Sequence, residues 1–172
     1  LVGVLMVPAA VQRFGKKQVY LGGLALWAIG DVLNFFWGAT SVLFVTFSCM
    51  AFFGTAFVNS LNWALVPDTV DYGEWKTGIQ ASGTLSSING FLGKVAQAIA
   101  GGLSGLLLAI GGYVNGAAIQ STQTIISINA MYLYIPIILL ICSMITMHFY
   151  TLDKELPSIQ KDLKTRRLQM KE

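Results

Sequence analysis

An all-α membrane protein is the fold class this sequence predicts, and three observations carry it. Hydrophobic residues make up 55% of the 172 positions and charged residues only 11%, where a soluble domain has about a quarter charged. The apolar residues gather into runs long enough to cross a bilayer as helices, about 20 residues each. The basic residues fall almost entirely in alternate breaks between those runs, as in a chain that reverses direction at each break.

Residues 1–150 are read as the membrane region and 151–172 as a charged tail. Residues 1–11, with Pro8 near their end, are too few to span. They carry no basic lead that would mark a signal peptide. The chain is therefore expected to open partway through a helix, as the C-terminal portion of a larger protein. A short basic turn, Arg13-Phe-Gly-Lys16-Lys17, follows. The next span covers about 20–37, bounded by Gly38 and the Ala-Thr-Ser turn. Another covers about 41–66 and is expected to stop at Pro67, which disfavours helix at the residue before it. Residues 68–76 then read as an acidic, turn-prone loop, with Gly73 and Gly78 as breakers.

A fourth run covers about 79–110 and ends at Gly111-Gly112. The polar stretch 113–123 holds no charge. The last span, about 124–150, contains Pro136 and is expected to bend there. In the tail, Leu156, Ile159, Leu163 and Met170 lie on one side and Lys/Arg on the other. That pattern suits a short helix on the membrane surface. Tyr20, Trp37, Tyr113 and Tyr150, near span ends, read as interface anchors.

Ten of the eleven basic residues fall in the first turn, the acidic segment and the tail. The intervening turns have none, so the charged side is expected to be cytoplasmic. The exception is Lys94, which with Asp31 is placed within the hydrocarbon. Each such charge costs roughly 2.5–3.5 kcal/mol there unless it faces water or a partner. Gly83, Ser87, Gly90, Lys94, Gln97 and Gly101 recur every three or four residues and share one helix face. That face reads as the lining of a water-filled cavity in which the ammonium pairs with a carboxylate, in preference to a packing seam of small residues.

Ser48, Thr55, Asn59 and Asn62 make a weaker stripe, suited either to cross-linking helices or to binding sugar hydroxyls. Asp31 is a protonated structural carboxyl or a functional one. Asp68, Asp71 and Glu74 are a solvated turn or, paired with basic groups from elsewhere, a gate. Cys49 and Cys142 lie in apolar runs and read as packing residues. His148 stands alone. No P-loop, dinucleotide fingerprint or metal-ligand cluster occurs, so an enzyme is not expected and a cofactor is not called for.

The string Pro67-Asp-Thr-Val-Asp-Tyr-Gly-Glu74, with a lysine twenty residues further on in a Gly/Ser-rich helix, resembles the glycoside–pentoside–hexuronide:cation symporters, a family of the major facilitator fold. Phe149-Tyr-Thr-Leu-Asp153 and the charged tail resemble that family's ending. The resemblance covers essentially the whole chain and implies a C-terminal fragment running from the end of helix eight to helix twelve. It implies alternating access in a bacterial cytoplasmic membrane, with the C-terminus cytoplasmic.

It also implies a sugar or glycoside substrate, membrane lipid around the spans, an N-terminal half of the same transporter as partner, and Na⁺ or H⁺ as coupling cation. Nucleic acid is not an expected partner. Lys94 matches the family's lysine near cation and sugar. Asn59, Asn62, Gly90 and Gln97 are grouped with it as the candidate substrate and cation site, and Asp68, Asp71 and Glu74 as the candidate cytoplasmic gate. Asn59 and Gly90 stand where the melibiose branch has tryptophan and threonine, which disfavours melibiose itself. The alternatives are a non-sugar, sulfonated or lipid-like solute, and a membrane interaction or sensor protein that moves no solute.

Overall fold

The computed structural model describes residues 2–37, 40–117 and 119–169, which form helices and connecting turns without a strand among them. The expected turn residues Gly38 and Ala39, and the tail residues Met170 and Lys171, lie outside the described residues. Helix α1 is Val2–Phe14, α2 Lys16–Trp37, α3 Ser41–Thr77 and α4 Ser82–Ile110. The last span is continuous from 122 to 148 but is built in three pieces. These are α5 (Thr122–Asn129), a π-helical turn (Ala130–Tyr134) and α6 (Ile135–His148). Helix α7, Leu152–Gln169, ends the described chain. By length and hydropathy, α2, α3, α4 and the 122–148 segment can each cross a membrane.

The α1–α2 break is made by Gly15 at φ +82°, a left-handed conformation that glycine adopts without a Cβ penalty. Helices α2 and α3 then form the most closely packed pair. Two glycines permit this approach. A Cβ on Gly54 would lie 2.6 Å from the Trp27 backbone nitrogen, and one on Gly30 would lie 2.7 Å from that of Ala51. Within lipid, helices associate through such close packing, since lipid tails are as apolar as leucine. Val7, Val19 and Leu61 bury together where α1 meets this pair, and Leu24, Val58 and Leu140 where α6 meets it.

The expectation that the third span ends at Pro67 is corrected. Helix α3 runs through Pro67 and Gly73 to Thr77, and Gly78 (φ +75°) caps it by donating its N–H to Glu74 O at 2.7 Å. Its 37 residues make a rod about 55 Å long, well beyond the ~30 Å hydrocarbon core. The acidic segment is therefore the protruding end of a helix and not a loop. An interior proline costs about 3 kcal/mol. The protruding turns offset this with buried contacts through Asp68, Val70 and Glu74.

A second correction concerns the tail. Leu156, Ile159 and Leu163 are 7%, 2% and 4% exposed, because α7 packs on the protruding end of α3 and does not turn its apolar side to lipid. At Pro136 the expected disruption takes the form of the π-helical turn immediately before it. Widening the backbone there accommodates the missing N–H and the proline ring.

Helix α4 differs from the rest. None of its residues is buried, and its contacts fall on α5 and α3. Its far end is fixed by Thr124, fully buried, whose hydroxyl donates to Gly111 O at 2.6 Å. Ser121 caps α5 by accepting from the Thr124 N–H at 3.1 Å.

Candidate functional site

The basic turn, the acidic end of α3 and the tail meet at one end of the bundle. Lys16 Nζ donates to Asp68 Oδ2 at 2.5 Å, and Asp68 is only 4% exposed. Lys17 uses both ends: its backbone N–H donates to Asp153 Oδ2 at 2.9 Å, and its ammonium donates to the carbonyls of His148 (2.6 Å) and Tyr150 (2.8 Å). These bonds tie the α1–α2 turn to the entry of α7.

Further along α3, Gln160 donates to Asp71 at 3.0 Å, and Arg167 grips Glu74 with two parallel bonds of 3.0 and 2.5 Å. Such a fork on a carboxylate is the strong form of ion pair. It holds the Glu74 carboxyl below its ordinary value, chiefly by hydrogen bonding. Burial pushes the Tyr150 phenol up to about 12, with the charges of Asp68 and Asp153 adding to it. Tyr150 is thus no simple interface anchor: its hydroxyl is enclosed.

All three gate candidates are therefore engaged with basic or amide groups from other segments: Asp68 with Lys16, Asp71 with Gln160 and Glu74 with Arg167. Sequence reading foresaw basic partners but not which ones. Lys16 lies 52 residues from Asp68, and Arg167 lies 93 from Glu74. The amphipathic pattern of α7 carried the only local sign that it would dock.

The substrate and cation candidates are arranged differently. Gly90, Lys94 and Gln97 lie on the exposed face of α4, and Asn59 and Asn62 are exposed on α3. Among the described residues no hydrogen bond or ion pair joins Lys94 to either asparagine or to a carboxylate. The expected pairing of the ammonium is absent from this set. A Cβ on Gly83, Gly90, Gly93, Gly101, Gly102 or Gly105 would meet nothing within 4 Å.

The α3 stripe divides. Ser48 and Thr55 line a cavity of about 240 Å³ with Trp27, Asp31 and Tyr132, whereas Asn59 and Asn62, further along the same helix, are exposed and are not among its lining residues. Asn34 donates to Ser48 Oγ at 2.8 Å and to Tyr132 Oη at 3.0 Å. Asp31, Ser48 and Thr55 were candidates in the sequence, but their meeting around Asn34 and Tyr132 was not foreseen. Its signal was Asn34 one turn after Asp31.

With this geometry in view, comparison with known proteins is decisive for the family. The model of MFS/sugar transport proteins matches residues 1–154. The chain belongs to that family. Its major facilitator fold is in keeping with the four membrane-length helices.

The chain is 60% identical over 150 residues to a Salmonella typhimurium protein named "Putative sulfoquinovose importer", covering 87% of this chain and 32% of that protein. It is 49% identical over 156 residues to the Escherichia coli "Putative 2,3-dihydroxypropane-1-sulfonate exporter", covering 90% and 34%. It is 35% identical over 173 residues to the isoprimeverose transporter of Lactiplantibacillus pentosus, covering 98% and 36%. The family member thus spans about a third of the length of these relatives. No solved structure matches it.

Proposed function

We propose that this chain is the C-terminal portion of a cation-coupled symporter of the glycoside–pentoside–hexuronide branch, carrying a sulfonated sugar or similar small sulfonate across a bacterial cytoplasmic membrane by alternating access. The observation that carries the solute class is the relationship to two proteins whose names both specify a sulfonate-bearing solute, at 60% and 49% identity. Lys94 supports it chemically. A sulfonate is a permanent anion at physiological pH, and Lys94 is the one charged side chain on α4. An ammonium at mid-membrane needs an anionic partner, and a sulfonate supplies one.

In this reading the unburied, glycine-lined face of α4 borders the passage between the two halves of the full transporter. Asn59, Asn62 and Gln97 donate to and accept from sugar hydroxyls. The junction of Lys16, Asp68, Asp71, Glu74 and Arg167 lies on the cytoplasmic side, where it makes and breaks contacts as the halves rock.

The test is competition against uptake of labelled sulfoquinovose in cells expressing the full-length transporter. Unlabelled sulfonated sugars and short sulfonates are expected to compete, and the neutral sugar isoprimeverose to compete poorly. Equal competition by isoprimeverose would favour a neutral glycoside as solute. No uptake of any sugar-like solute would remove the transport reading.

A further inference from the structure

The cavity beside Asp31 belongs neither to the charged junction nor to the Lys94 face. Asp31 is 6% exposed and has no ion-pair partner among the described residues. It sits on α2 about 9 Å along the helix from Trp37 and about 22 Å from Lys16, so it lies well inside the membrane region. A carboxylate so placed is costly unless it is neutralised. No cation does so here. The polar groups facing the cavity are the Ser48 and Thr55 hydroxyls from α3, the Tyr132 phenol from the π-helical turn, and Trp27 from α2. None of these is charged, and Tyr132 is the only other titratable one.

Next to this cavity lies a larger one of about 550 Å³, lined by Asn34, Phe35, Phe36, Phe44, Asn129 and Tyr132 among others. It occupies the end of the bundle opposite the charged junction, where α2 ends and α3 begins. Tyr132 lines both spaces. Asn34, Ser48 and Tyr132 are joined by the two bonds from the Asn34 amide, so they stand as a hydrogen-bonded partition between them. Asn34 Oδ1 is buried with no partner, an orphan acceptor that a water or hydronium donor would satisfy. Tyr132 is carried on a π-helical turn, a widened backbone found often at functional sites. At roughly 30 Å³ of liquid volume per molecule, the inner cavity has room for several waters.

We propose that Asp31 is a proton-binding site within the membrane region, loaded from the end opposite the charged junction through the Asn34–Ser48–Tyr132 partition. Loading forms an O–H bond on an Asp31 oxygen as one breaks on a cavity hydronium, leaving a neutral carboxyl and a water. Unloading reverses this. The site deepens the proposed transport reading and rests on it, and neither cavity is lined by α4, Asn59 or Asn62, the candidates for solute and cation.

The experiment is infrared spectroscopy of the full-length transporter in lipid, following the carboxylic-acid C=O band. A band is expected that vanishes in Asp31→Asn, changes frequency in Asp31→Glu and shifts on transfer to heavy water. In Tyr132→Phe, which keeps the ring and loses the hydroxyl, the same band should persist and exchange more slowly. The readout is the carboxyl itself, so the result does not depend on which solute is carried. A spectrum unchanged in both Asp31 variants would overturn the proposal. So would unaltered exchange in Tyr132→Phe, or loss of the band on adding Na⁺ at constant pH, which would give the site to a metal cation.

Discussion

Asp68 is buried, 4% exposed, and its carboxyl accepts from the Lys16 ammonium at 2.5 Å. Removing the charge in Asp68→Asn weakens a charge-assisted bond, with an expected loss of about 1.5–3 kcal/mol at that contact. Neutralising Asp68 and Asp71 together should slow exchange of preloaded solute while equilibrium binding in the full-length transporter stays largely intact. Equal loss of both properties would count against a gate.

Glu74 behaves differently with pH. Its carboxyl is held below the ordinary value of 4.5 by Arg167. The pair therefore contributes stability that is present above the unfolded-state value and lost only as pH falls through the lower, folded-state one. Docking of α7 should be unchanged from about pH 8 to about pH 5.5 and released only in stronger acid. Trp75 fluorescence can follow this, since its indole lies 3.4 Å from Asp162 of α7. Release near neutral pH would contradict the assignment.

At the scale of elements, the apolar runs read from the sequence overlap the helices α2, α4 and 122–148, because a long apolar run is a property of local windows. The local reading failed where a local preference was overruled by distant contacts. Pro67 reads as a stop, yet α3 continues because its last turns are held by Lys16, Gln160 and Arg167, all far away in sequence. The apolar side of α7 was legible, but amphipathicity does not say what covers it.

Outside lipid the hydrophobic effect operates in full. Ile159→Asp should therefore undock α7 at a cost of about 2–5 kcal/mol, judged from large-to-small core replacements. Protease sensitivity of the tail would report it. Between α2 and α3, Gly54→Ala should destabilise by about 1–3 kcal/mol through overpacking, because its Cβ would meet the Trp27 backbone. Gly22→Ala, with nothing within 4 Å, is the matched control. Thermal denaturation of the two variants in detergent should separate them, and equal midpoints would argue against this helix contact.

For the molecule as a whole, the candidate site was only half legible. The spacing of Gly90, Lys94 and Gln97 placed them on one face, but their partners cannot be read from a chain spanning about a third of its relatives' length. The charged ends do converge, as the distribution of basic residues led one to expect. Cysteines at 13, 76, 115 and 164, on a background lacking Cys49 and Cys142, test which side that end faces. Labelling from outside intact cells is expected at 115 alone, and labelling at 164 would reverse the orientation.

The central claim is that Lys94 binds and couples solute in a sugar-like transporter. The most direct measurement is accumulation of labelled sulfoquinovose by the full-length protein, with and without an imposed Na⁺ or H⁺ gradient, for the parent and for Lys94→Leu at matched membrane abundance. Gradient-driven accumulation should be lost in the variant while abundance is preserved. Undiminished accumulation by Lys94→Leu would contradict it.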